Sequence, residues 1–131
     1  SFYATGTAQA VSEPIDVVSS LGTLNTAAGA QGKQTLGDIT IYAHNDVNIT
    51  KLKVTLANAA QLRPYFKYLI IKLVSLDSNG NESEEKGMIT LWKPYAVIIL
   101  DHEDFNNDID NDGNNDAKIR VVAYYEAKEG M

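Results

Sequence analysis

Leu52-Lys53-Val54-Thr55-Leu56 alternates apolar and polar side chains, and no segment of the chain sustains the period of an amphipathic helix. Successive side chains of a strand point to opposite faces, so this alternation sets one face on a core and the other in water. Ile39, Ile41 and Ala43 alternate with Asp38, Thr40 and Tyr42 in the same way. Tyr65–Leu76, opened by Pro64, is rich in β-branched and aromatic residues and predicts a long strand. Asp77-Ser78-Asn79-Gly80-Asn81 is a strong hairpin turn, which Glu82–Lys86 extends as loop. Strands follow over Met88–Trp92 and Ile119–Tyr125. Pro94 restricts the first of these to a bulge or a sheet edge. Tyr95–Leu100 is nearly continuously apolar, which predicts a strand buried on both faces. Ala57–Arg63 has room for one short helical turn, and Ala27–Lys33 reads as a flexible loop. These segments predict one all-β domain over residues 1–131, an antiparallel, jelly-roll-like β-sandwich.

The composition suits that reading. The chain has 131 residues, 44% of them hydrophobic and 21% charged, enough for one domain with a real core. It lacks any run of about eighteen apolar residues, so no membrane-spanning helix is expected. It has no basic segment leading into an apolar one, the mark of an intact signal peptide. Ser1, in place of Met, fits a processed mature protein and equally a trimmed one. Cysteine is absent, which removes disulfides, thiol catalysis and cysteine zinc sites together.

The net charge of −6 is local in origin. Residues 101–116 hold seven acids (Asp101, Glu103, Asp104, Asp108, Asp110, Asp112 and Asp116) and neither Lys nor Arg; the rest of the chain would carry +1. No basic patch suggests a nucleic-acid partner. Within the stretch, Asp108-Ile109-Asp110-Asn111-Asp112-Gly113-Asn114-Asn115-Asp116 matches the first half of a calcium loop. Calcium is a hard cation that takes six to eight oxygens, and alternate side chains of a tight loop supply them. Ile119 stands where an EF-hand has its bidentate Glu, and flanking helices are missing, so this is no EF-hand. The expectation is a calcium loop between strands, with Asp108, Asp110, Asp112 and Asp116 as ligands, completed by Asp101, Glu103 or Asp104. The alternative is a solvated, Asx-rich hairpin loop. Seven like charges in so short a loop repel one another, which favours a cation.

Other constellations are weaker. Asn48-Ile49-Thr50 and Asn81-Glu82-Ser83 are glycosylation sequons at predicted turns, making Asn48 and Asn81 acceptor candidates. His44 and His102 have no partner at ligand spacing, the serines lack a nucleophile elbow, and Gly29–Gln34 lacks the spacing of a phosphate loop. Phe66, Tyr68, Trp92, Tyr124 and Tyr125 read as core and cross-strand packing, or as a carbohydrate platform. None of this points to an enzyme.

Four further features carry a resemblance. Phe2-Tyr3-Ala4-Thr5-Gly6-Thr7 forms a small-residue segment at the very start. Leu21-Gly22-Thr23-Leu24 and a Gly-rich stretch follow. Leu36-Gly37-Asp38-Ile39-Thr40-Ile41-Tyr42 then runs into Asn45-Asp46-Val47-Asn48-Ile49-Thr50-Lys51-Leu52-Lys53-Val54. The chain resembles the TasA/camelysin class of secreted β-sandwich fibre proteins, and in particular the archaeal bundling pilins, over about its first 60 residues. It is much shorter than the bacterial members.

The resemblance implies a secreted, extracellular subunit that polymerises head to tail with itself by donor-strand complementation. The donor would be Ser1–Val11: Phe2, Tyr3, Ala4, Thr5, Gly6, Thr7, Ala8, Gln9, Ala10 and Val11. Phe2 and Tyr3 would anchor it, and Gly6 would allow close backbone approach. Such a strand satisfies the unpaired backbone of an open sheet edge in the next copy. Calcium or paired acidic loops would then link filaments into bundles, as in a biofilm. The competing reading is a calcium-stabilised β-sandwich module that binds carbohydrate.

Overall fold

The structure, a computed structural model, describes residues 4–8, 15–21, 30–43 and 49–128. Among these residues nine strands form two sheets: β1 (Ala4–Ala8), β2 (Ile15–Ser19), β3 (Gln31–Ala43), β4 (Ile49–Leu56), β5 (Phe66–Leu76), β6 (Glu82–Thr90), β7 (Tyr95–Asp101), β8 (Phe105–Asn107) and β9 (Asp116–Ala127). The larger sheet runs β1-β3-β9-β5-β6, with β8 on the end of β9; the smaller runs β2-β4-β7. Between β4 and β5 lie one helical turn, α1 (Ala59–Leu62), and a 3-10 turn, Arg63–Tyr65. No described helix is long and apolar enough to cross a membrane.

The all-β, antiparallel sandwich expected from the alternation is what the chain forms. Its core is the sum of the inward faces: Ile39 and Ile41 from β3, Leu52 and Val54 from β4, Ile71 and Leu73 from β5, Leu100 from β7, and Ile119 and Val121 from β9, all fully buried. Phe66 meets Tyr125 edge to face, with ring centroids 5.9 Å apart, and seals one end of that core. The two sheets close together where β6 passes β7. A Cβ on Gly87 would lie 2.7 Å from the Ile98 side chain, so only glycine permits the approach.

Two pairings depart from the antiparallel rule. β1 lies parallel to β3, Ala4 opposite Ile39 and Ala8 opposite Ala43, and β2 lies parallel to β4, Ile15 opposite Leu52 and Ser19 opposite Leu56. The chain therefore passes from the larger sheet to the smaller twice, β1 to β2 and then β3 to β4, with the earlier strand of each pair parallel to the later. Hydropathy alternation cannot reveal this, because parallel and antiparallel edge strands show the same period.

Three local expectations need correction. Gln31–Lys33 is not loop: it opens β3, with exposed side chains, held by backbone pairing to Tyr124–Glu126 of β9. Glu82–Lys86 is likewise strand, the first half of β6. β7 is not buried on both faces. It is an edge strand whose residues alternate, with Tyr95, Val97 and Ile99 about half exposed on the open side of a three-stranded sheet.

Candidate functional site

The acidic stretch spans β8 and the loops on either side of it, and it divides into two sites. The first is the loop between β8 and β9. Asp108, Asp110, Asp112 and Asp116 each present a carboxylate oxygen, and the four oxygens lie within 4.8 Å of one another. Local hydrogen bonds build this convergence. Asp116 opens β9 and is buried; one of its oxygens accepts from the Ala43 N–H at 2.7 Å and the other from the Ile109 N–H at 2.9 Å. It thus ties the loop to the end of β3. Asp108 accepts from the N–H groups of Asp112 (3.1 Å) and Gly113 (2.8 Å), and Asp112 accepts from that of Asn114 (2.9 Å). The turn requires left-handed backbone at Asn111 (φ 56°) and Gly113 (φ 89°).

The electrostatics of the loop are those of crowded anions. The Asp110 carboxyl is pushed above its usual value by desolvation and by the charges of Asp112 and Asp116. A hard cation would relieve that repulsion. Four carboxylates supply part of the six to eight oxygens that calcium takes, and backbone carbonyls and water commonly supply the rest. The donor set therefore fits a metal ion, with all-oxygen ligands of the kind hard cations prefer.

The second site overturns part of the sequence reading. Asp101, Glu103 and Asp104, expected to complete the calcium loop, do not belong to the four-carboxylate cluster. Asp104 points into the protein. One oxygen accepts from the Ser75 hydroxyl at 2.7 Å; the other accepts from the Asp101 N–H at 2.9 Å and pairs with Lys86 Nζ at 2.9 Å. The side chains of Lys86 and Asp104 are only 8% and 5% exposed, so this is an internal ion pair. Lys86 reaches it because of a bulge: Leu73 pairs with Gly87 but Val74 pairs with Glu85, leaving Lys86 as the extra residue of β6.

Desolvation alone would raise the Asp104 pKa, but the hydrogen bonds from Ser75, Asp101 and Lys86 outweigh it and hold the carboxyl below its usual range. Desolvation alone would lower Lys86, but Asp104, and then Glu84 and Asp101, more than reverse it and hold the amine above its usual value. Nothing in the local sequence of Glu82–Lys86 marks this bulge, so the pair was not legible.

The remaining predicted residues are scattered. Asn81 closes the β5–β6 hairpin in an exposed position, its N–H donating to the Asp77 carboxylate at 2.9 Å. Asn48 and His44 lie outside the described residues. His102 is exposed in the β7–β8 turn. Of the proposed donor segment, Ala4, Thr5, Gly6, Thr7 and Ala8 form β1 on the edge of their own larger sheet; Phe2, Tyr3, Gln9, Ala10 and Val11 lie outside the described residues. Among the aromatics, Phe66 and Tyr125 are core, whereas Trp92 is 80% exposed in the β6–β7 bend with the Arg63 guanidinium 4.4 Å from its ring centre. The chain matches no protein-family model and no curated protein sequence.

Proposed function

We propose that the chain is a structural, non-catalytic subunit of an extracellular filament, and that copies join by exchanging the N-terminal strand. The observation that carries this is the position of β1. Among the described residues it is the end strand of its sheet, bonded on one side only, to β3, and enters no other ladder. That slot is defined by the backbone of β3, and the same segment of a neighbouring copy offers the same backbone groups. Exchange of an identical element between copies costs little, because the incoming strand forms the same pairings that the outgoing strand gives up. A head-to-tail exchange that does not close on itself generates a fibre.

The Asp108–Asp116 loop is proposed to hold calcium, and calcium there, or paired acidic loops, to join filaments side by side. Asn81 is proposed as a glycan acceptor on the outer surface. Negative-stain electron microscopy of the full chain beside a chain lacking Ser1–Val11 tests the exchange. Filaments from the full chain alone are expected; monomers from both, with calcium present, refute it. Chelator is expected to separate bundles, and bundling that persists unchanged in chelator rules out the lateral role of the metal.

The exposed Trp92, with Tyr68 beside the same groove, favours one second reading: a carbohydrate-binding module. A monodisperse monomer that binds on a glycan array, and loses binding on Trp92→Ala, would replace the filament by that module.

A further inference from the structure

The strands gather the loops at two ends of the sandwich, and the ends differ in charge. The β5–β6 hairpin, the β7–β8 turn and the β8–β9 loop lie at one end. Segments 77–85 and 101–116 there hold eleven carboxylates and no Lys or Arg; Asp104 and Asp116 are buried, which leaves nine toward the surface. The 3-10 turn, the β6–β7 bend and the end of β9 lie at the other. Segments 63–68, 91–95 and 126–128 there hold four cations (Arg63, Lys67, Lys93 and Lys128) and one carboxylate, Glu126. That end also carries the most exposed large apolar side chain among the described residues, Trp92, beside a groove of about 310 Å³ lined by Lys67, Tyr68 and Leu91.

An exposed Trp held under an Arg is the composition of an interface centre, and Lys67, which lines the same groove, supplies charge to its rim. Its complement in charge is on the same chain, at the far end of the same strands. We propose that the Arg63–Trp92–Lys93 end of one copy docks against the acidic end of a second copy. The contact is heterologous, so repeating it extends a row of copies along the strand axis. It rests on the filament reading for its purpose but not for its chemistry. Strand exchange would lock copies that this contact first brings into line, since opposite charges steer encounter and set orientation.

Carbodiimide cross-linking of mixed isotope-labelled and unlabelled full-length chain tests the contact. The reagent joins an amine to a carboxylate in direct contact, and mixed-label peptides report only links between copies. The expected links join Lys67, Lys93 or Lys128 to carboxylates in 77–85 or to Asp101 or Glu103, and fade in about 0.5 M salt as charges are screened. Lys67→Glu with Lys93→Glu, both exposed positions, should cut their yield about tenfold, because attraction becomes repulsion. Mixing that variant with Glu82→Lys/Glu103→Lys chain should restore links between the two. Links found only elsewhere, or a yield unchanged by the reversals, overturn the proposal. The outcomes separate from the filament reading. Filaments without these links defeat the docking contact alone, and these links without filaments defeat strand exchange alone.

Discussion

Asp104 and Asp110 sit six positions apart in one acidic run, yet they meet opposite environments. Asp104 is buried, accepts three hydrogen bonds or ion pairs, and has its own cation in Lys86. Asp110 is exposed, stands among other carboxylates, and has its pKa pushed the other way. The comparison shows that the run is two devices. One has its charge balanced within the fold, by a residue that a bulge turns inward. The other gathers like charges at the surface and is the place where an external cation would act.

The largest effect should come from breaking the internal pair. Lys86→Ala leaves Asp104 charged in the interior and is expected to cost about 3–5 kcal/mol of unfolding free energy in urea. Lys86→Met sharpens this, since it keeps the buried stem and removes only the charge. A loss near that of the alanine variant attributes the effect to the orphaned carboxylate. A loss below about 1 kcal/mol would show that the stem's packing is what matters.

The second effect is calcium. A ligand that binds only the folded state stabilises by about 2.7 kcal/mol at a hundredfold excess over Kd. Calcium at that excess should raise the melting temperature of the native chain accordingly. Asp108→Asn should abolish the rise. Lys86→Met, tested at lower temperature, should retain it. A rise retained in Asp108→Asn would move the ion out of the β8–β9 loop.

The two sites also differ in how far they could be read in advance. The β8–β9 loop was legible because its carboxylates are close in sequence. Asp108, Asp110 and Asp112 alternate and Asp116 follows four residues later, so one short loop carries all four carboxylates. The internal pair was not, because Ser75, Lys86 and Asp104 come from three elements, and Lys86 faces inward only through a register shift between β5 and β6. The same limit explains the strands. The core faces of β3 and β4 follow from alternation. The parallel setting of β1 on β3, and the open outer face of β7, depend on which strands are neighbours, which periodicity does not encode.

A smaller effect is expected at the turn of the loop. Gly113 has φ of 89°, and beyond its two chain neighbours no heavy atom lies within 4 Å of where its Cβ would be. Gly113→Ala therefore meets no clash and strains only the backbone, a cost of about 1 kcal/mol by chemical denaturation without calcium. A neutral or stabilising result would show that the turn relaxes to a right-handed conformation without loss.

The smallest effect is a difference in sign near pH 4. The folded pKa of Asp104 lies below its unfolded value. Its stabilisation is therefore complete above the unfolded value of about 3.9 and is lost as the pH falls from there through the folded pKa. The folded pKa of Asp110 lies above its unfolded value, so ionisation there opposes folding. That opposition is complete above the folded pKa and disappears as the pH falls through it to the unfolded value. Without calcium, Asp110→Asn should consequently raise the melting temperature slightly at pH 7 and leave it unchanged at pH 3, where the native carboxyl is already protonated. With calcium the sign at pH 7 should invert, because the substitution then removes a ligand. A fall at pH 7 without calcium would mean that the Asp110 charge is balanced within the chain, and the contrast between the two aspartates would not hold.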